Sequence, residues 1–252
     1  MDPITLLIVC PLVFLAGLVD SIAGGGGLIS LTAYLLAGLP AHAALGTNKL
    51  SSSIGTVVAT ARLARGGYIK LKLAVPAAIG AIAGSAIGAK LALLTPDSIF
   101  QMLLVVALPF VAFAVLRKRA IDVPENASIS PRRQYAVVAI SSLVFGCYDG
   151  FYGPGTGTFM LIAFTAAAKL PVKQASGEVK VANLASNVAA LITFLLHGQV
   201  WIALGLAAAA FSIAGNYLGA GMVMKDGTKI VRPIIVVVLG MLFVKVIFDL
   251  VA

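Results

Sequence analysis

Apolar residues gather into runs at about 4–19, 28–39, 43–61, 71–94, 98–116, 134–148, 157–168, 175–196, 200–223 and 231–251, separated by glycine-rich or charged punctuation. A helix crossing the roughly 30 Å hydrocarbon core needs about 20 apolar residues at about 1.5 Å rise each, which most of these runs supply. The runs at 4–19, 28–39 and 157–168 are short. The one long polar connection, 117–133, contains Pro124 and Pro131 and divides the chain into nearly equal parts. The pattern predicts an all-α polytopic membrane protein with one transmembrane unit over 1–116, a surface linker over 117–133 and a second unit over 134–252.

Composition sharpens this reading. Of 252 residues, 60% are hydrophobic and 11% charged, against roughly 25% charged in a soluble domain. Mean hydropathy is +1.06. A cytoplasmic enzyme, a disulfide scaffold and a disordered tail protein are all excluded. The net charge of +9 would suggest nucleic acid in a soluble chain, but the cations fall in the short loops, where they set orientation instead. Cys10, Cys147, His42 and His197 lie in four separate segments, so neither a metal site nor any cofactor is expected. Met1-Asp2-Pro3 lacks the basic start of a signal peptide, and no cleavage is expected. The sequon Asn126-Ala127-Ser128 is too common a tripeptide to carry meaning.

The two units repeat each other. At an offset of 129, Gly17, Asp20, Gly24 and Gly26 fall on Gly146, Asp149, Gly153 and Gly155. After a shift of two, Pro40, Ala44, Gly46, Lys49, Gly67, Gly84 and Gly88 fall on Pro171, Ala175, Gly177, Lys180, Gly198, Gly215 and Gly219. Internal duplication in a membrane protein points to a secondary transporter whose halves meet around a central site. If 4–39 made one crossing, with the second half alike, the 16 cations besides Lys49 and Lys180 would divide 10 to 6. If 4–39 and 134–168 are instead re-entrant hairpins, Arg62, Arg65, Lys70, Lys72, Arg117, Lys118, Arg119, Arg132, Arg133, Lys169, Lys173, Lys225, Lys229 and Arg232 share one side, against Lys90 and Lys245. The positive-inside rule favours the second arrangement: inverted repeats, each a glycine-broken hairpin plus three transmembrane helices, with a cytoplasmic linker.

Chemistry concentrates at the breaks. Asp20 to Gly27, ending Gly24-Gly25-Gly26-Gly27, and Tyr148 to Gly157, containing Gly153 and Gly155, cannot run on as helix when each glycine costs up to about 1 kcal/mol. Unpaired backbone at membrane depth is tolerated only against protein or a wet cavity, so the two breaks predict a polar cavity between the halves. Half-helices starting near Leu28 and Thr158 would aim N–H groups and the positive dipole end at it, which suits an anion. Lys49 and Lys180 open the next runs and are candidates for anion contacts, or for pairing with Asp20 and Asp149. Thr47 and Asn48 add donors; Ser52, Ser53 and Thr56, and in the second half Asn183, Ser186 and Asn187, fall on the same helical surface. Glu178 has no acidic counterpart and is a candidate protonation switch, though a solvated residue at a helix start reads the same way. Tyr148, Phe151 and Tyr152 either shape an organic moiety or pack the loop, and Trp201 reads as an interfacial anchor.

The combination of Asp20 to Gly27, Gly46 to Lys49, Tyr148 to Gly155, Lys180, Asn183 and Lys229-Ile230-Val231-Arg232-Pro233 resembles the sulfite exporter TauE/SafE family of membrane permeases, over almost the whole chain. The resemblance implies a multi-pass carrier of the bacterial inner membrane, built by duplication, for sulfite, a sulfonate or another organic anion. The partners expected are that anion and the lipid bilayer, with no nucleic acid and with homo-oligomerisation open. Two other classes stay in view. Asp20 and Asp149 occupy equivalent places, as the dyad of an intramembrane aspartyl protease would, and a passive channel would use the same polar path.

Overall fold

A computed structural model describes residues 3–96 and 129–227, together with 229–230 and 233–234. The predicted span 98–116, nearly all of the span 231–251, the sequon and most of the predicted linker lie outside the described residues. Eight α-helices are described: α1 Pro3–Ala23, α2 Gly27–Leu36, α3 Ala41–Arg65, α4 Leu71–Leu94, α5 Pro131–Phe151, α6 Thr156–Ala166, α7 Val172–Leu196 and α8 Ile202–Asp226. Among the described residues there is no strand. The protein is all-α.

α1, α4, α7 and α8 are long and apolar enough to cross a membrane. α3 matches them at 25 residues but spends Thr47, Asn48, Lys49, Ser51, Ser53 and Thr56 on its buried face. Large apolar side chains such as Leu71, Ile79, Leu206 and Leu218 point outward while lysines and asparagines lie inside. That inversion of the soluble pattern is what a hydrocarbon solvent selects.

Helix directions follow from which residues touch. Gly80, Gly84 and Gly88 of α4 abut Ala139 to Leu143, then Leu143 to Cys147, then Cys147 to Phe151 of α5, so the two advance together. Gly215 and Gly219 bring α8 against Phe14, Leu18 and Ser21 of α1 in the same parallel sense. These ladders of small residues let backbones approach closely, the usual basis of helix pairing in lipid. α3 runs parallel to α8, since Gly46 meets Gln199 and Gly55 meets Ser212, and α7 runs parallel to α4. α3 and α7 are antiparallel, because Lys49 reaches Asn187 whereas Thr60 reaches Lys180.

The consequence is a pair of re-entrant hairpins. α1 and α3 point the same way, so α2 must carry the chain back toward the end where α1 began; α6 does the same between α5 and α7. α1 stops beside Lys180, the ninth residue of α7 and thus about 12 Å inside its start. Each hairpin packs on the fourth helix of the other half, α1 on α8 and α5 on α4. The basic residues Arg62, Arg65, Lys70, Lys72, Arg132, Arg133, Lys169, Lys173 and Lys225 collect at the end where α3 and α8 finish, with Lys90 toward the opposite end.

The breaks are shorter than the sequence suggests. Helix continues through Asp20 to Ala23 and through Tyr148 to Phe151, and resumes at Gly27 and Thr156 instead of Leu28 and Thr158. The turns are made by Gly24 at φ +77° in one hairpin and by Gly153 and Gly155 at +101° and +82° in the other, a region that favours glycine. Gly24 leaves no room for a side chain either, since a Cβ there would strike the backbone of Gly157.

Candidate functional site

The two hairpin tips meet. Thr158 Oγ1 donates to Ala23 O at 2.7 Å, and Gly24 lies against Gly157. The tips, with α3, α7, α8 and the inner turns of α1, enclose a polar cavity of about 40 Å³, enough for about three waters or one small ion. Gly24, Gly26 and Gly27 line it from one tip, Gly153, Thr156 and Gly157 from the other. Asn48, Lys49, Ser52 and Thr56 face it from α3, and Asn183 and Asn187 from α7. Asp20 and Asp149 enter from the ends of α1 and α5. α2 and α6 both begin at this cavity, so their first N–H groups and positive dipole ends converge on it.

Both lysines are paired, each with the aspartate of the opposite half. Lys49 Nζ donates to Asp149 Oδ2 at 2.7 Å and to Asn187 Oδ1 at 3.1 Å. Ser186 Oγ donates to the same Asp149 oxygen at 2.6 Å. Lys180 Nζ donates to Asp20 Oδ2 and to the Asp20 carbonyl, both at 2.6 Å. Both lysine side chains are 2% exposed, which only a matched carboxylate makes tolerable. The expected alternative of pairing with the aspartates is therefore what the structure shows. Each carboxylate is taken up by its own lysine, and no hydrogen bond joins Asp20 to Asp149 as the shared proton of a protease dyad would.

Of the residues singled out in sequence, Asp20, Gly24, Gly26, Gly27, Asn48, Lys49, Asp149, Gly153, Asn183 and Asn187 meet around the cavity. Gly25, Thr47, Gly155, Glu178 and Lys180 do not line it. Gly155 caps α6. Thr47 Oγ1 accepts the Trp201 N–H at 2.9 Å, and Glu178 Oε1 accepts the Lys70 N–H at 2.7 Å. Trp201 and Lys70 are the N-cap residues of α8 and α4, so matched positions hold matched helix starts with different side chains. Glu178 is fully buried, not solvated, and its Oε2 has no hydrogen-bond partner among the described residues. His42 and Lys173 form a further matched pair, reaching Ala92 O at 2.9 Å and Met224 O at 2.7 Å in the last turns of α4 and α8. The aromatic residues pack the loop: Tyr148 donates to Pro154 O at 2.8 Å and stands edge-on to Tyr152 and Phe159.

This arrangement, two glycine-broken hairpins meeting over crossed lysine–aspartate pairs inside an apolar helical shell, can be compared with known proteins. The profile of the family described as Sulfite exporter TauE/SafE matches residues 9–246. The chain belongs to the TauE/SafE family of membrane permeases. A probable membrane transporter protein, ORF9, of Sinorhizobium sp is 35% identical over 241 residues, covering 94% of this chain and 90% of that one. A probable membrane transporter protein of Haemophilus influenzae is 35% identical over 239 residues, 94% and 92% of the two chains. The probable membrane transporter protein YfcA of Escherichia coli is 30% identical over 250 residues, 98% and 91%. No solved structure matches.

The cavity is also lined by residues that the sequence pattern did not single out. Ser30, Ser212 and Asn216 line the cavity. Asn216 ties α1 to α8 by accepting the Ser21 hydroxyl at 2.9 Å, its own amide held within α8 by donating to Ser212 O at 3.0 Å. Its signal was present: Gly215-Asn216 stands 131 residues after Gly84-Ser85, and Ser85 likewise bridges helices through Ser186 O at 2.6 Å.

Proposed function

We propose that this TauE/SafE protein is a secondary transporter that moves a small anion across the bacterial inner membrane by alternating access, the anion being sulfite, a sulfonate or another small organic anion. The observation that carries the reading is the convergence of two oppositely directed half-helix N-termini and the Lys49 ammonium on one central cavity. Lining by Lys49, Asn48, Asn183, Asn187 and glycine backbone offers donors to an oxyanion and only Val13 and Ala16 to an apolar group, which supports a compact, highly oxygenated substrate. The basic residues at the end where α3 and α8 finish support a cytoplasmic location for that end by the positive-inside rule. The family description as a sulfite exporter and the relatives' description as probable membrane transporters support the same direction of thought.

The test is thermal stabilisation of the purified protein by sulfite, thiosulfate, sulfonates and carboxylates. An anion at 100 times its Kd stabilises by about 2.7 kcal/mol, a readily measured rise in Tm. The same titration of Asn187→Ala, which keeps the Lys49–Asp149 pair but removes a cavity amide, should need a higher anion concentration. Absence of a shift with every anion in the panel would overturn the reading.

A further inference from the structure

The two lysines are anchored in different ways. Lys180 holds a backbone carbonyl as well as a carboxylate, so it stays tied to the end of α1 whatever the charge on Asp20. Lys49 has side-chain partners only, and it faces the cavity, which Lys180 does not. An anion entering this cavity meets an ammonium whose charge Asp149 already balances, and it adds an unmatched buried charge beside a carboxylate. A proton arriving with the anion removes both penalties. Ser186 is placed for the change, because its hydroxyl, 2.6 Å from Asp149 Oδ2, also lies 3.1 Å from Asn183 O and has a second acceptor to turn to.

The geometry points to Asp149 as the residue that carries a proton across with the anion, Lys49 being the ammonium it releases; this rests on the anion-transport reading above. A proton from the entry side bonds to Asp149 Oδ2, the neutral carboxyl gives up Lys49, and the anion takes that ammonium. On the other side the anion leaves, the proton dissociates into that solution, and the Lys49–Asp149 pair re-forms, so charge and protons balance over the cycle. The groups that face Asp149 allow this. α3 presents Lys49, α7 presents the uncharged Ser186 and Asn187, and α4 presents Ser85 to the adjacent Gly150. On its own helix, Tyr148 directs its hydroxyl to Pro154 O. Asp20 reaches the same cavity already answered by Lys180, and Glu178 does not reach it.

The experiment uses the full chain in proteoliposomes with a pH dye trapped inside, and labelled sulfite and methanesulfonate as probes, each corrected for protein-free vesicles. Anion exchange is measured first with equal pH on both sides, then net uptake and internal acidification with the outside acid. One-to-one coupling accumulates a monoanion about tenfold per pH unit and brings in one proton per anion. Asp149→Asn should lower the proton-to-anion ratio by at least about tenfold, whereas Glu178→Gln, outside the cavity, should retain it. Wild-type exchange without proton uptake overturns the coupling and leaves transport standing, a result that does not depend on any variant folding. No movement of either probe overturns the transport reading and the coupling with it. Loss of the ratio in Asp20→Asn or Glu178→Gln, with Asp149→Asn unaffected, overturns the assignment to Asp149.

Discussion

The Lys49–Asp149 and Lys180–Asp20 pairs sit at matched positions in the two halves, yet their surroundings differ. Asp149 receives a hydroxyl from Ser186 and its side chain is 9% exposed; the position matching Ser186 is Gly55, and Asp20 is 22% exposed. Lys49 leans on the Asn187 amide, where the matching position holds Thr56. Lys180 takes a main-chain carbonyl instead. One pair is built wholly from side chains at the wall of the cavity, and the other is bolted to the end of a helix. Matched sequence positions thus hold two similar pairs, and the packing around each gives them different surroundings.

The largest expected effect tests that division. Lys49→Ala strands a buried carboxylate and should lower stability by about 3–5 kcal/mol, while the double variant Lys49→Ala/Asp149→Ala recovers much of the loss. Lys180→Ala should cost less, about 1.5–3 kcal/mol, because water reaches Asp20 more easily. Chemical denaturation in detergent micelles measures both. If Lys180→Ala proves the more damaging, the pairs have been ranked the wrong way round.

Next in size are substitutions that make one pair resemble the other. Ser186→Ala removes a hydrogen bond to a charged carboxylate and should cost about 1.5–3 kcal/mol in the same assay. The reverse change, Gly55→Ser, does not create a second Asp149-like site, because a Cβ at position 55 runs into Ser212 and Asn216 of α8. Overpacking there should cost about 1–3 kcal/mol and loosen the α3–α8 contact, seen as faster cross-linking or exchange at that seam. A stable Gly55→Ser variant would show that the asymmetry is not enforced by packing. Asn187→Thr, which copies Thr56, should cost about 0.5–1.5 kcal/mol.

Much of this was legible in the sequence, and the parts that were not share a cause. The span at Leu71–Leu94 coincides with its apolar run, because length and hydropathy alone define it. The glycine breaks and the partnership of aspartates with lysines follow from the cost of bare backbone and bare charge in hydrocarbon. That the pairs cross between the halves does not follow, since it depends on each hairpin packing against the other half's fourth helix. Thr47 and Glu178 look like site residues because each precedes a site lysine by two places. Two residues turn a helix by about 200°, so those side chains face away from the cavity that the lysine faces or borders. Ser212 and Asn216 escaped notice because a lone polar stripe hardly changes the hydropathy of an apolar helix.

The smallest expected effect examines what those two outward positions do. Thr47 Oγ1 accepts the N–H of Trp201, and Glu178 Oε1 accepts that of Lys70, each at the N-cap residue of the other half's fourth helix. Thr47→Val keeps the shape and removes the acceptor, leaving the Trp201 N–H to the half-exposed surface near it; the cost should be about 0.5–1.5 kcal/mol, as for loss of one ordinary hydrogen bond. Thr47→Ser keeps the oxygen and should change stability by less than about 0.5 kcal/mol. Because Thr47 does not line the cavity, anion titrations of both variants should show unchanged half-saturation even where Tm falls. A weakened anion response in Thr47→Val with Tm intact would return Thr47 to the site and break the separation between residues that hold the helix starts and residues that face the substrate.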